Sequence, residues 1–219
     1  MTNPFDQGGY QVRLEWGAAG LARLAPADIL VLVDVLGPGA APLAALEAEP
    51  TATVSAAALP GGVPDGAAHP GGEVTVLWGN LRNATAVARA CLAEQHARGG
   101  RTSIAVIPAL GVGASAEASQ TSTRFAVENL LAAGAIVGAL SALGTDHTSP
   151  EAAAACEAFH GLRRAVGHLV TASGTARAFD HTPDAAPPLP PTDAARVDAT
   201  TLVPVLRGGA IVALDTEGS

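Results

Sequence analysis

A single α/β domain, with a mixed, mostly parallel sheet flanked by helices, is the fold class that this 219-residue sequence predicts. Three observations carry that expectation. Residues 28–36 read DILVLVDVL, a β-branched and aliphatic run without polar alternation, as in a strand covered on both faces. Further apolar strand runs at 73–78 and 102–108 are interleaved with Ala-rich helical sequence, the α/β rhythm. Finally, 202–206 and 210–214 flank Arg207-Gly208-Gly209 as a closing hairpin, which adds antiparallel strands to the parallel set.

From the N-terminus, residues 10–16 (YQVRLEW) alternate and read as a strand, followed by a turn or short helix over 17–24. The 28–36 strand ends at GPGAAP, and a short helix covers 43–49. Residues 51–72 hold Gly, Pro and Ala with few anchoring side chains, which predicts a loop. After the 73–78 strand, residues 80–83 turn into a helix of about 15 residues, with Asn83 as its N-cap. The 102–108 strand leads to a small-residue loop at 109–120 and then to a long helix, 122–143. A second long helix opens at Ser149-Pro150-Glu151 (a cap, a first-turn proline and an acid at the positive end of the dipole) and runs to 169. Pro183, Pro187, Pro188, Pro190 and Pro191 make 178–198 a linker or an extended wrap before the hairpin. No repeat and no composition break calls for a second domain, so residues 1–219 are read as one.

Composition narrows the chemistry. Ala fills 49 positions while aromatics make up 3 %, so the core must be built from small side chains with closely packed helices. All 12 basic residues are Arg. Without a lysine there is no Schiff-base amine, no G-x-x-x-x-G-K-[ST] phosphate loop and no haloacid-dehalogenase-type site. A net charge of −8 and a pI near 5.1 argue against a nucleic-acid partner held by a basic stripe. Single arginines can still fork onto a phosphate, sulfonate or carboxylate. Cys91 and Cys156 lie in helical sequence without a C-x-x-C spacing and read as small core residues of a reducing compartment. The N-terminus lacks the apolar segment of a signal peptide, and the apolar run 130–143 is too short for a membrane span. A cytoplasmic chain with no membrane partner is expected; homo-oligomerisation is left open.

Three groups of residues could carry chemistry. Asp34 falls near the C-terminal end of a buried strand, where ligands of open α/β sheets bind. It is either a hydrogen-bonded structural carboxylate or a metal-binding or catalytic one. Asn80, Arg82 and Asn83 lie between a strand end and a helix start, either as cap and surface arginine or as an anion contact. Arg124 and Glu128 are spaced i,i+4 on the expected 122–143 helix, with Asn129 beside them. They form a surface ion pair with an exposed amide, or an oxygen-donor site for Mg²⁺. No H-E-x-x-H and no G-x-S-x-G occurs, so zinc-protease and hydrolase-elbow sites are unsupported.

Five segments, in order, resemble the 2-phosphosulfolactate phosphatase family, the ComB-type phosphatases. They are YQVRLEWG with DILVLVDVL, NLRNATAVARACL, TRFAVENLLAAGAIVGAL continued by SPEAAAACEAF, TASGTARAF, and TLVPVLRGGAIVAL. The resemblance implies a ComB-like fold and a Mg²⁺-dependent hydrolysis of 2-phosphosulfolactate to sulfolactate and phosphate, a step associated with coenzyme M synthesis. It places Asp34 and Glu128 as catalytic residues, Asp34, Glu128 and Asn129 near the metal, and Arg82, Asn83, Arg124, Ser173 and Gly174 near a small anionic phosphorylated substrate. The chain departs from the family pattern at three points. Residues 37–42 are GPGAAP where a polar stretch is usual; the N-G-[ST] segment before NLRN is missing; Asn129 stands where an Asp is usual. These departures define the alternative reading, a non-catalytic relative that binds an anionic metabolite or acts as a scaffold.

Overall fold

The computed structural model describes residues 3–58, 73–109, 111–112, 123–181 and 186–214. Its strands are β1 (Val12–Leu14), β2 (Ile29–Val33), β3 (Val54–Ser55), β4 (Thr75–Gly79), β5 (Ile104–Pro108), β6 (Gly111–Val112), β7 (Thr123–Arg124), β8 (Pro204–Arg207) and β9 (Ala210–Ala213). Its helices are α1 (Gly17–Leu21), α2 (Ala41–Ala48), α3 (Ala84–Arg98), α4 (Val127–Ala142), α5 (Pro150–Leu162), α6 (Val166–Thr171), α7 (Gly174–Asp180) and α8 (Pro191–Ala194). Seven of the described strands form one mixed sheet in the order β1-β5-β2-β4-β8-β9-β3.

The sheet is parallel where the sequence is most continuously apolar. β2 lies between β4 and β5, with Ile29 opposite Thr75 and Ile104, and Val33 opposite Gly79 and Pro108. β1 extends the parallel set beyond β5. β8 joins β4 antiparallel through Leu77 and Val205, and β9 folds back on β8. Gly208 and Gly209 both take positive φ in that hairpin, 56° and 81°, as a two-residue turn between twisted strands requires.

The side chains of β2 divide between two cores. Ile29, Val31 and Val33 face the larger one with α3, α4 and α5, while Leu30 enters a smaller one with Leu21, Val76, Trp78 and Ile107. This is the two-sided cover that an unalternating run implies. The larger core depends on close approach. A Cβ on Gly134 of α4 would stand 2.0 Å from the Ala155 carbonyl oxygen of α5, so the two helices touch backbone to backbone there.

Five expected segments change. The 122–143 helix starts only at Val127, because Thr123–Arg124 pairs with Gly111–Val112 and Ala126 is extended. Arg124 therefore precedes the helix and shares no helix face with Glu128. The 149–169 helix is interrupted by a 3-10 turn at Arg163–Ala165. The 51–72 loop includes β3 and a 3-10 turn at Ala56–Ala58, with 59–72 outside the described residues. The 178–198 wrap holds the end of α7 and all of α8, with 182–185 outside the described residues. Of the expected loop 109–120, Gly111–Val112 is strand β6, and 110 and 113–120 lie outside the described residues. Among the described residues, no helix is long and apolar enough to cross a membrane.

Candidate functional site at the end of β2

Asp34 directly follows the last residue of β2, and its backbone N–H donates to the Gly79 carbonyl at 3.3 Å. The chain then turns sharply, and the turn is organised by the Asp34 carboxyl. Gly37 N–H donates to Oδ1 and Gly39 N–H to Oδ2, both at 2.9 Å. Any side chain at either glycine would collide with it: a Cβ would lie 2.4 Å from Oδ2 at position 37 and 2.8 Å from the Asp34 Cβ at position 39. The GPG sequence is thus the steric condition for seating this carboxyl. Burial pushes the Asp34 pKa up; the two N–H groups and Asn129 oppose that shift, and the charge of Glu128 adds to it.

Asn129 closes the same corner from the first turn of α4. Its Oδ1 accepts from Val35 N–H at 2.8 Å, and its Nδ2 donates to the Ala109 carbonyl at 2.9 Å and to Asp34 Oδ1 at 3.4 Å. Asn129 therefore turns nitrogen, not oxygen, toward Asp34. This corrects its expected role as an oxygen ligand there: the amide positions the Asp34 turn.

Glu128 is 1 % exposed. Its Oε1 accepts from the Thr175 hydroxyl, and that hydroxyl oxygen accepts from Arg124 Nη2. Glu128 Oε2 is a buried oxygen without a hydrogen-bond partner among the described residues. Arg124 also donates from Nη1 to the Phe125 carbonyl at 3.1 Å. Its guanidinium rests against Gly174, where a Cβ would come within 3.3 Å of Nη1. Ser173 caps α7, its Oγ accepting from Ala176 N–H at 3.1 Å. Arg124, Glu128, Ser173 and Gly174 are thus brought together, with Thr175 as the link that sequence reasoning missed. Its only signal was its place in TASGTARAF, immediately after two nominated residues.

Arg82 and Asn83 belong to other networks. The Arg82 Nε donates to Glu47 Oε1 at 2.9 Å, its Nη2 lies 2.8 Å from the same oxygen, and Nη1 donates to the Asp193 carbonyl at 2.7 Å. Asn83 is fully buried: Oδ1 accepts from Asn80 N–H at 2.8 Å, and Nδ2 donates to the Trp78 and Leu202 carbonyls. In both, the polar atoms are engaged with neighbouring parts of the fold. Nor does Asn83 cap α3 with its side chain; Asp198 accepts from Thr85 N–H at 2.8 Å there. Asn80 does connect to the site, donating to the Asp34 carbonyl at 2.7 Å.

Mg²⁺ takes oxygen donors, commonly one or two carboxylates, and retains several waters. Glu128 Oε2 is an oxygen of that kind, and the charge of Glu128 reaches the Asp34 carboxyl. At the opposite ends of the strands, Asp28 and Ser103 line a cavity of about 190 Å³ with Arg13. There the Arg13 guanidinium is occupied by the carbonyls of Tyr10, Ala25 and Pro26. No protein-family model matches the chain, and no curated protein matches it.

Proposed function

We propose that this chain is a divergent 2-phosphosulfolactate phosphatase, a Mg²⁺-dependent hydrolase releasing phosphate from 2-phosphosulfolactate or a similar small acidic phosphoester. The observation that carries the reading is Glu128 Oε2. A buried oxygen left without a donor costs on the order of 1–3 kcal/mol, and no donor among the described residues offsets that cost. A cation at this oxygen would. Glu128 would hold the metal with Asp34 as the second carboxylate, and the bound ion would supply polarisation of the phosphoryl oxygens and orientation of a water.

The remaining roles fall to the chain itself. Arg124 presents a guanidinium beside the Gly174 turn, suited to a sulfonate or carboxylate. Thr175 fixes Arg124 and Glu128 relative to one another through its hydroxyl. Asn129 and the two glycine N–H groups hold the Asp34 carboxyl in one orientation. A second reading, a non-catalytic binder of an anionic metabolite, is favoured by one observation: both Asp34 oxygens already accept backbone N–H groups.

Phosphate release from 2-phosphosulfolactate and phospholactate, with and without Mg²⁺, separates the two. The phosphatase reading expects Mg²⁺-dependent release that falls at least about 100-fold in Glu128→Gln, the upper end of what an outer-shell partner costs. No release from a broad phosphoester panel, together with no Mg²⁺-induced thermal shift, leaves the binder.

A further inference from the structure

α5 carries a cluster of donor atoms that the proposed phosphatase chemistry does not use. Cys156, Glu157 and His160 stand at i, i+1 and i+4, and one ligand atom from each lies within 4.8 Å of the other two. Cys156 Sγ is 3.8 Å from His160 Nδ1, and Glu157 Oε1 is 3.7 Å from the same nitrogen. A tetrahedral Zn²⁺, with Zn–S of about 2.3 Å and Zn–N or Zn–O of about 2.0 Å, sets the S···N edge at about 3.5 Å and the N···O edge at about 3.3 Å. Those two edges in this chain exceed the ideal values by only a few tenths of an ångström, and the S···O edge lies within 4.8 Å. Residues spaced i,i+4 have Cβ atoms roughly 5–6 Å apart, so the side chains of Cys156 and His160 converge rather than merely share a helix.

The neighbouring helix makes the room. A Cβ on Gly138 of α4 would lie 3.4 Å from Cys156 Sγ and 3.2 Å from His160 Nε2. The glycine lets both side chains lie along the α4–α5 seam. A surface Glu–His pair by itself would account for Glu157 and His160, but not for a buried sulfur turned to the same nitrogen.

We propose that Cys156, Glu157 and His160 form a Zn²⁺ site with water as the fourth ligand. Zinc takes the thiolate rather than the thiol, so binding must displace the Cys156 proton. Hydrated Zn²⁺ and the thiol give a zinc–thiolate bond and a proton released to solvent. The affinity therefore rises with pH.

The test uses the untagged full-length chain, with Co²⁺ as an optical probe and Zn²⁺ measured by competition with a chromophoric chelator. The site expects one Co²⁺ per chain, a sulfur-to-cobalt charge-transfer band and the visible bands of four-coordinate cobalt. Those bands should vanish in Cys156→Ser and persist in Cys91→Ser. His160→Gln alters an exposed side chain and should weaken Zn²⁺ at least about tenfold, with the far-UV spectrum confirming that the variant is folded. Absence of the charge-transfer band in the wild type, its survival in Cys156→Ser, or unchanged Zn²⁺ affinity in His160→Gln overturns the site.

Discussion

The Asp34 carboxyl occupies a seat that admits it only because glycines stand at 37 and 39. Its folded pKa is raised, with burial the largest cause, against an ordinary value of 3.8. Between 3.8 and the raised folded value, the unfolded chain has lost its proton while the folded chain retains it. Stability from this group is therefore fully present below 3.8 and is lost as pH rises through the folded pKa. Asp34→Asn does not titrate, so the wild type should gain stability relative to the variant as pH falls toward 3.8. Urea unfolding at several pH values reads that gap. A constant gap, or one that moves in favour of the variant, contradicts the raised pKa. At this scale the sequence conveys type and neighbourhood but not direction. Glu128 and Asn129 are adjacent in the chain and point their oxygens at different partners, one at Thr175 and the other at Val35 N–H. Arg82 is legible as a free arginine until Glu47, 35 positions earlier, is folded against it. The glycines after Asp34 read as the loss of a polar segment, although they are what the Asp34 turn requires.

Helices built from alanine and glycine reach each other through backbone, and Gly134 is where that approach is tightest. Gly134→Ala would place a methyl 2.0 Å from the Ala155 carbonyl oxygen, against backbone rather than a side chain that can rotate away. α4 and α5 must then separate, at a cost of about 3 kcal/mol, the upper end of overpacking penalties. Calorimetry should show Tm lowered by roughly 6–12 °C. An unchanged Tm would mean that the two helices are not in contact at this position. The alanine content made such packing readable before any coordinates. The strands were equally readable, because β2, β4 and β5 are continuous apolar runs whose only stable place is a covered parallel sheet. What sequence periodicity could not supply was the start of α4. Thr123 and Arg124 sit beside a helical pattern, yet their backbone pairs with Gly111 and Val112, a partner that local propensity cannot see. The break after α5 is similar: Leu162 ends the helix and a 3-10 turn redirects the chain, although no proline stands between 151 and 182 to mark the stop.

One sheet serves two cores, and this decides how the whole molecule should unfold. β2 sends Ile29, Val31 and Val33 into the larger core and Leu30 into the smaller, so neither core can open without releasing a strand that the other needs. The C-terminal hairpin is tied into the same unit: β9 pairs with β3 through Val54 and Ile211, and β8 pairs with β4. Two tryptophans report on the two sides. Trp78 is a member of the smaller core, and Trp16 packs against the larger one and meets the Phe125 ring at a tilt of 53° with centroids 5.2 Å apart. In each single-tryptophan variant, Trp16→Phe and Trp78→Phe, the fluorescence transition in urea should superimpose on the far-UV circular dichroism transition of that same variant. Coincidence within each variant matters rather than equality between them, since Trp78→Phe leaves a buried gap and lowers its own midpoint. Superimposed curves are what a single cooperative unit produces. A fluorescence midpoint that precedes the dichroism midpoint in the Trp78-only protein would show the smaller core opening first. The sheet would then be holding two separable layers instead of one.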